Sequence, residues 1–125
     1  MRVTVRSGDG PDAPLLARAV VADRPLAQLL GWCFRPRPAP DEGLLLPRCR
    51  AVHTAFMRFP IDLLYLRGGR VMAMRAHLPP WRVSIGPRGA DALELPAGTL
   101  ARIGVRVGDR VTLAEQVGDA SGAGD

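Results

Sequence analysis

This sequence predicts a mainly β, single-domain fold, and three observations carry that prediction. Short apolar runs with alternating pattern recur from RVTVR at 2–6 to RVTL at 110–113. Two glycines, Gly68 and Gly69, join two such runs in the manner of a tight hairpin. Helical periodicity with caps at both ends is confined to about 23–30, with a single helical turn at about 99–103. A chain of 125 residues suits one domain, which at this size hides about two thirds of its unfolded surface. Residues 1–117 are expected to form it, and the tail 118–125, GDASGAGD, has nothing to bury and is expected to be disordered. No internal repeat is visible.

Taken in order, Arg2–Arg6 puts Val3 and Val5 on one face of a strand, and SGDGPDAP is turn chemistry throughout. Residues 15–22 fit either a strand or a helical turn. Asp23 is an N-cap, Pro25 lies in the first turn, Leu26, Leu29 and Leu30 share a face, and Gly31 closes the helix. Three prolines in RPRPAPDE at 35–42 exclude regular structure and lead into an apolar strand, Gly43–Leu46. The stretch CRAVHTAFMRFPIDLLYL at 49–66 joins the densest apolar run to the most reactive side chains. Alternation sends Val52, Thr54, Phe56 and Arg58 to one face and His53, Ala55, Met57 and Phe59 to the other, until Pro60 interrupts pairing and a second strand starts at Ile61.

If Arg67 faces Arg70 across the two glycines, Leu64 faces Ala73, Leu63 faces Met74, and Asp62 gains Arg75 as a counter-ion. A long loop rich in Pro and Gly, carrying His77 and Trp81, is expected to reach Gly89. Leu93–Leu95 is a short strand, 96–98 a turn, Thr99 the cap of a helical turn at Leu100–Ile103, and Gly104 its end. Residues 105–113 read as two strands broken at Gly108-Asp109.

The net charge of +5 comes with 17 basic residues, all of them arginine. They are spread along the chain and interleaved with acids, which speaks against nucleic acid as a partner, since such binders concentrate charge on one stripe. Two cysteines, Cys33 and Cys49, are too few for a disulfide scaffold, and the N-terminus offers no apolar leader. The expectation is a soluble cytoplasmic protein with free thiols. No apolar run approaches the roughly eighteen residues of a membrane helix.

Cys49 and His53 form C-x3-H, but zinc usually takes three or four protein ligands, and residues four apart on a straight strand are about 13 Å from each other. No metal and no other cofactor is expected. The alternative for this pair is packing, with Cys49 as a small hydrophobe and His53 half-buried. A Cys49 thiolate activated by His53, with Asp62 orienting that base, would be a nucleophile, yet no glycine-rich turn follows to supply an oxyanion hole. Asp62 and Glu94 are the acids in apolar strands and so candidates for paired acid and base chemistry. Against that, register gives Asp62 to Arg75, and Glu94 alternates with Leu93 and Leu95 as an outward residue would. Met57, Met72 and Met74 read as core filling. Trp81 either lids the core or lines a pocket beside Arg82 and His77.

The candidate site is therefore Cys49, His53, Thr54, Arg58, Asp62 and Trp81, expected to line a concave polar pocket if a bulge near Phe59-Pro60 brings His53 and Arg58 to one side. Three function classes fit it. The first is a binding domain for a small ligand or a protein partner. The second is an enzyme dependent on Cys and His or assisted by a metal, and the third a non-catalytic accessory protein. The first is preferred, because recognition groups are present and a complete catalytic set is not.

Several segments together, VHTAFMRFPIDLLYL, GRVMAM, ALELPAGTLARIGVRVGDRV and GWCFR, resemble the uncharacterised bacterial and archaeal family DUF192, also called UPF0127. The resemblance spans Arg2 to Leu113. It implies a compact two-sheet β-sandwich or barrel-like domain with short helices, strand for the second half of 15–22, and no established activity. Two features depart from the family pattern. Its Gly-Leu-Met-x-Arg reads Gly31-Trp32-Cys33-Phe34-Arg35 here, and the hairpin after Leu66 is shorter and lacks the usual acidic residues.

Overall fold

The apolar runs pair into one curled sheet with a second, smaller sheet laid on its outer face. The computed structural model describes residues 2–6, 13–16, 18–21, 39 and 42–114. The helix expected at 23–30, Cys33 and the tail from 118 lie outside the described residues. In order, the described elements are β1 (Arg2–Arg6), β2 (Ala13–Leu16), β3 (Arg18–Val21), β4 (Glu42–Leu46), β5 (Ala51–His53), β6 (Ile61–Arg67), β7 (Arg70–Leu78), β8 (Val83–Ile85), β9 (Asp91–Pro96), α1 (Thr99–Ile103) and β10 (Arg110–Ala114). Among the described residues, eight strands form a half-barrel in the order β2-β1-β10-β7-β6-β9-β4-β3, and β5 pairs only with β8. All neighbours are antiparallel except β3 and β4.

Burial of β6 on both faces explains its sequence IDLLYL, apolar apart from Asp62 and the Tyr65 hydroxyl, in which every residue is buried. Leu64 and Leu66 face the inside of the curl with Leu93, Leu95, Val71, Val111 and Leu100 of α1. Ile61, Leu63 and Tyr65 face the other way, against Val52 of β5 and Met57 and Phe59 of the loop beyond it. The Tyr65 hydroxyl donates to Ser84 Oγ at 2.7 Å, tying β8 to the main sheet. Gly86 lets the layers close, because a Cβ there would sit 2.3 Å from the Tyr65 ring.

Several expectations are corrected. The hairpin keeps the expected register only at Arg67–Arg70 and Leu66–Val71; beyond it Tyr65 pairs with Ala73, Leu64 with Met74 and Leu63 with Arg75. A bulge adds Met72 to β7, so Arg75 does not face Asp62. A second shift lies between Ile61 and Leu63, where His77 takes a left-handed φ of 51°. The Asp62 carboxylate, fully buried, serves this bulge and the helix instead: Oδ1 accepts from His77 N at 2.9 Å and Oδ2 from Leu100 N at 2.8 Å. Thr99 accordingly does not cap α1; its hydroxyl donates to Pro96 O at 2.6 Å, and Gly98 holds the N-cap position.

Glu94 is not outward. It is 1 % exposed, because β5 and β8 cover the face on which it lies opposite Leu63. The strand expected to run through 59 ends at His53, and the loop expected to run to Gly89 contains β8. Residues 105–109 form a turn rather than a strand, built by Asp109, whose Oδ2 accepts from Arg106 N at 2.9 Å.

Candidate binding surface

The chain leaves β5 at Thr54 because that residue bonds to a loop rather than to a continued ladder. Thr54 N donates to Arg82 O at 2.8 Å, and Thr54 O accepts from Trp81 N at 3.1 Å and Met57 N at 3.1 Å. The hydroxyl donates to Pro79 O at 2.7 Å and accepts from Arg82 N at 2.8 Å. One fully buried threonine thus fixes both the 54–57 turn and the 79–82 segment.

Both segments carry an aromatic residue in a backbone conformation that bulky side chains avoid. Phe56 and Trp81 each have φ 64°, the left-handed region, which costs a non-glycine residue about 1–2 kcal/mol. Their rings meet edge to face with centroids 4.7 Å apart and planes at 62°. The strain does not serve the core, since Phe56 is 50 % and Trp81 61 % exposed.

This pair heads a longer apolar face. On β8, Val83 and Ile85 point outward, 65 % and 66 % exposed, while Ser84 between them points in. His53 lies opposite Val83, and Ala51 opposite Ile85. Arginines rim the face, and the side chains of Arg50 and Arg82 bond to backbone carbonyls. Arg50 Nε donates to Gly86 O at 3.0 Å and Arg82 Nη1 to Trp81 O at 3.3 Å, while Arg58 is exposed on the loop that carries Phe56. Among the described residues, the other exposed large apolar side chains, Val21, Met72 and Val107, lie apart on β3, β7 and the 105–109 turn.

The structure therefore brings together His53, Thr54 and Trp81 and places Arg58 on the same loop. The conflict over strand faces dissolves, because Arg58 is not on a strand. Asp62 is not part of this surface; it is buried on the opposite side of the main sheet. It cannot form an acid and base pair with Glu94 either: Glu94 lies opposite Leu63 and Asp62 opposite Leu95, so the two carboxylates project from opposite faces. Cys49 precedes the far end of β5. Its thiol donates to Ala51 O at 3.3 Å, and burial pushes its pKa up, backbone hydrogen bonding at Ala51 opposing and the Glu94 charge adding to the rise. That favours the thiol over the thiolate a nucleophile requires. Among the described residues, no group of three or more His, Cys, Asp or Glu side chains is placed to hold a metal ion.

Sequence reasoning missed Phe56, Val83 and Ile85. Alternation placed Phe56 on a regular strand, and the Pro-rich segment around Val83 hid a three-residue strand.

Comparison with known proteins agrees with this fold. The model of the DUF192 family, described as "Uncharacterized ACR", matches residues 7–113. The chain belongs to the DUF192 family. A UPF0127 protein of Pyrococcus furiosus is 35 % identical over 95 residues, which cover 72 % of this chain and 81 % of that protein. A Sinorhizobium meliloti 1021 crystal structure, described as a "putative transcription regulator", superposes with TM-score 0.78 at 28 % identity, covering 89 % of this chain and 91 % of that one. A Novosphingobium aromaticivorans protein of unknown function shares the DUF192-like fold with TM-score 0.74 at 24 % identity, covering 90 % of this chain and 84 % of that one. No helix among the described residues is long and apolar enough to cross a membrane.

Proposed function

We propose that this DUF192 domain is a non-catalytic binding module that recognises a protein partner through the β5–β8 face. The observation that carries this reading is the Phe56–Trp81 pair, two aromatic rings held exposed in a strained backbone by a buried threonine. Strain of this kind persists where the surroundings enforce it, and it clusters at recognition sites. Exposed aromatic residues beside apolar strand residues, rimmed by arginine, match the composition of interface cores better than that of an ordinary surface. A protein partner suits a strand surface of this shape better than a small ligand, which takes an enclosed pocket. The description of the S. meliloti relative fits a protein that acts by association rather than turnover.

Glycine variants test the reading. Phe56→Gly and Trp81→Gly each suit a left-handed backbone and recover about 1–2 kcal/mol of strain. Each also gives up an exposed ring contact of about 0.5–1.5 kcal/mol, leaving stability within about 1 kcal/mol of wild type. Quantitative affinity capture from the native cells should show a partner retained by wild type and lost by both variants. An identical retained set for all three baits would sink the proposal.

A further inference from the structure

Three arginines stand directly opposite one another across neighbouring strands, at a place the apolar face does not involve. Arg67 of β6 pairs with Arg70 of β7 across the glycine turn, and Arg70 pairs in turn with Arg110 of β10. Opposed residues of antiparallel strands project to one face, and strands lie about 4.8 Å apart, so the row runs about 10 Å across the sheet. The backbone of Arg6 in β1 takes the next register position, opposite Arg110. Arg67, Arg70 and Arg110 are all exposed.

Like charges placed directly opposite one another repel, so this arrangement works against the fold it sits on. The side-chain hydrogen bonds of Arg67 and Arg70 leave the charge in place, because they go to neutral carbonyls. Arg67 Nη2 donates to Arg88 O, and Arg70 Nη1 donates to Gly108 O at 3.1 Å. The two turns supplying those carbonyls carry further exposed arginines, Arg88 and Arg106. Among the described residues, the carboxylates of the adjoining turns bond to backbone amides: Asp109 Oδ2 accepts from Arg106 N at 2.9 Å and Asp91 Oδ1 from Arg48 N at 2.8 Å.

We propose that the Arg67–Arg70–Arg110 row, bracketed by Arg88 and Arg106, is a binding site for the phosphate backbone of a nucleic acid. Planar guanidinium groups bind phosphate oxygens through paired hydrogen bonds, and a row exposed along its length suits a polymer whose phosphates follow one another. Among the described residues no aromatic side chain interleaves the row, so its contacts hold the backbone without reading bases. Spread along the sequence, these arginines show no stripe; the β6–β7–β10 register creates one. A compositional preference for arginine over lysine accounts for the residue type but not for this alignment.

The test is fluorescence anisotropy of the full chain with a labelled 20-base-pair duplex over a sodium chloride series. Three phosphate contacts predict a slope of log K against log salt of about −2.7, and five about −4.5. Arg67→Ala, Arg70→Ala and Arg110→Ala should each flatten it by about 1, whereas Arg70→Lys should not. Arg102→Ala on α1 removes the same charge elsewhere and should leave the slope unchanged. Thermal melting of each variant confirms that it is folded. Absence of binding at low salt would overturn the proposal, as would an equal effect of Arg102→Ala. Polyglutamate of matching charge bound with the same variant sensitivity would overturn the phosphate assignment.

Discussion

Thr54→Val removes one oxygen from the residue that organises the aromatic pair and keeps its shape. The lost hydroxyl donates to Pro79 O at 2.7 Å and accepts from Arg82 N at 2.8 Å. Two net hydrogen bonds at about 0.5–1.5 kcal/mol each, plus about 1 kcal/mol for a polar group left unsatisfied beside a buried methyl, give about 2–4 kcal/mol. The loop lies at the surface, so water can replace part of the loss, which puts the expected value near about 2 kcal/mol and a melting shift near about 8 °C for a domain of this size. Thr54→Ser keeps the hydroxyl and should stay within about 1 kcal/mol. Urea unfolding followed by far-UV circular dichroism gives the free energies. Near-UV dichroism in a Trp32→Phe background reports whether Trp81 still stacks on Phe56. Wild-type stability within about 0.5 kcal/mol, together with an unchanged Trp81 signal, would refute the role assigned to Thr54.

Other outcomes follow from the same contacts. Asp62→Ala should cost about 3 kcal/mol or more by orphaning the amides of His77 and Leu100, and the coupling of Asp62 to Arg75 in a double-mutant cycle should be below about 0.5 kcal/mol. Gly86→Ala should destabilise by about 2–4 kcal/mol in chemical denaturation, since its Cβ would sit 2.3 Å from the Tyr65 ring. Burial raises the pKa of Tyr65, partly opposed by the Ser84 hydrogen bond, and burial likewise raises that of Cys49. Folding therefore favours the protonated forms, so stability is fully present below about pH 9 and declines as pH rises above it. Urea midpoints should show that decline, and Cys49→Ala with Tyr65→Phe should flatten it.

Strand identity was largely legible in the sequence because it rests on local alternation and turn residues, as at Arg2–Arg6, at Gly43–Leu46 within β4 and at the Gly68-Gly69 hairpin. Register was legible only for the two pairs nearest the turn, since β7 bulges at Met72 and again at His77, where the backbone amide bonds to Asp62, remote in sequence. Glu94 was misread because alternation reveals two faces without saying whether a second layer covers one of them. The binding face depended on the same kind of information. Thr54 and Trp81 stood out by residue type, but the hydrogen bonds joining them cross 25 to 28 positions, as from Thr54 to Pro79 and Arg82, and they turn Phe56 outward against the local pattern. The arginine row is the clearest case, since charges that look dispersed along the chain are aligned only by pairing among β6, β7 and β10.

The most direct measurement on the proposed interface is photo-cross-linking in the native cells from a benzophenone side chain placed at Ile85, with Arg102 on α1 as the control position. A discrete adduct of one partner at Ile85, absent at Arg102 and lost when Trp81→Gly is added, is the predicted result. Adducts from Ile85 no more frequent than those from Arg102, or undiminished by Trp81→Gly, would contradict the assignment of the β5–β8 face as the surface through which this domain works.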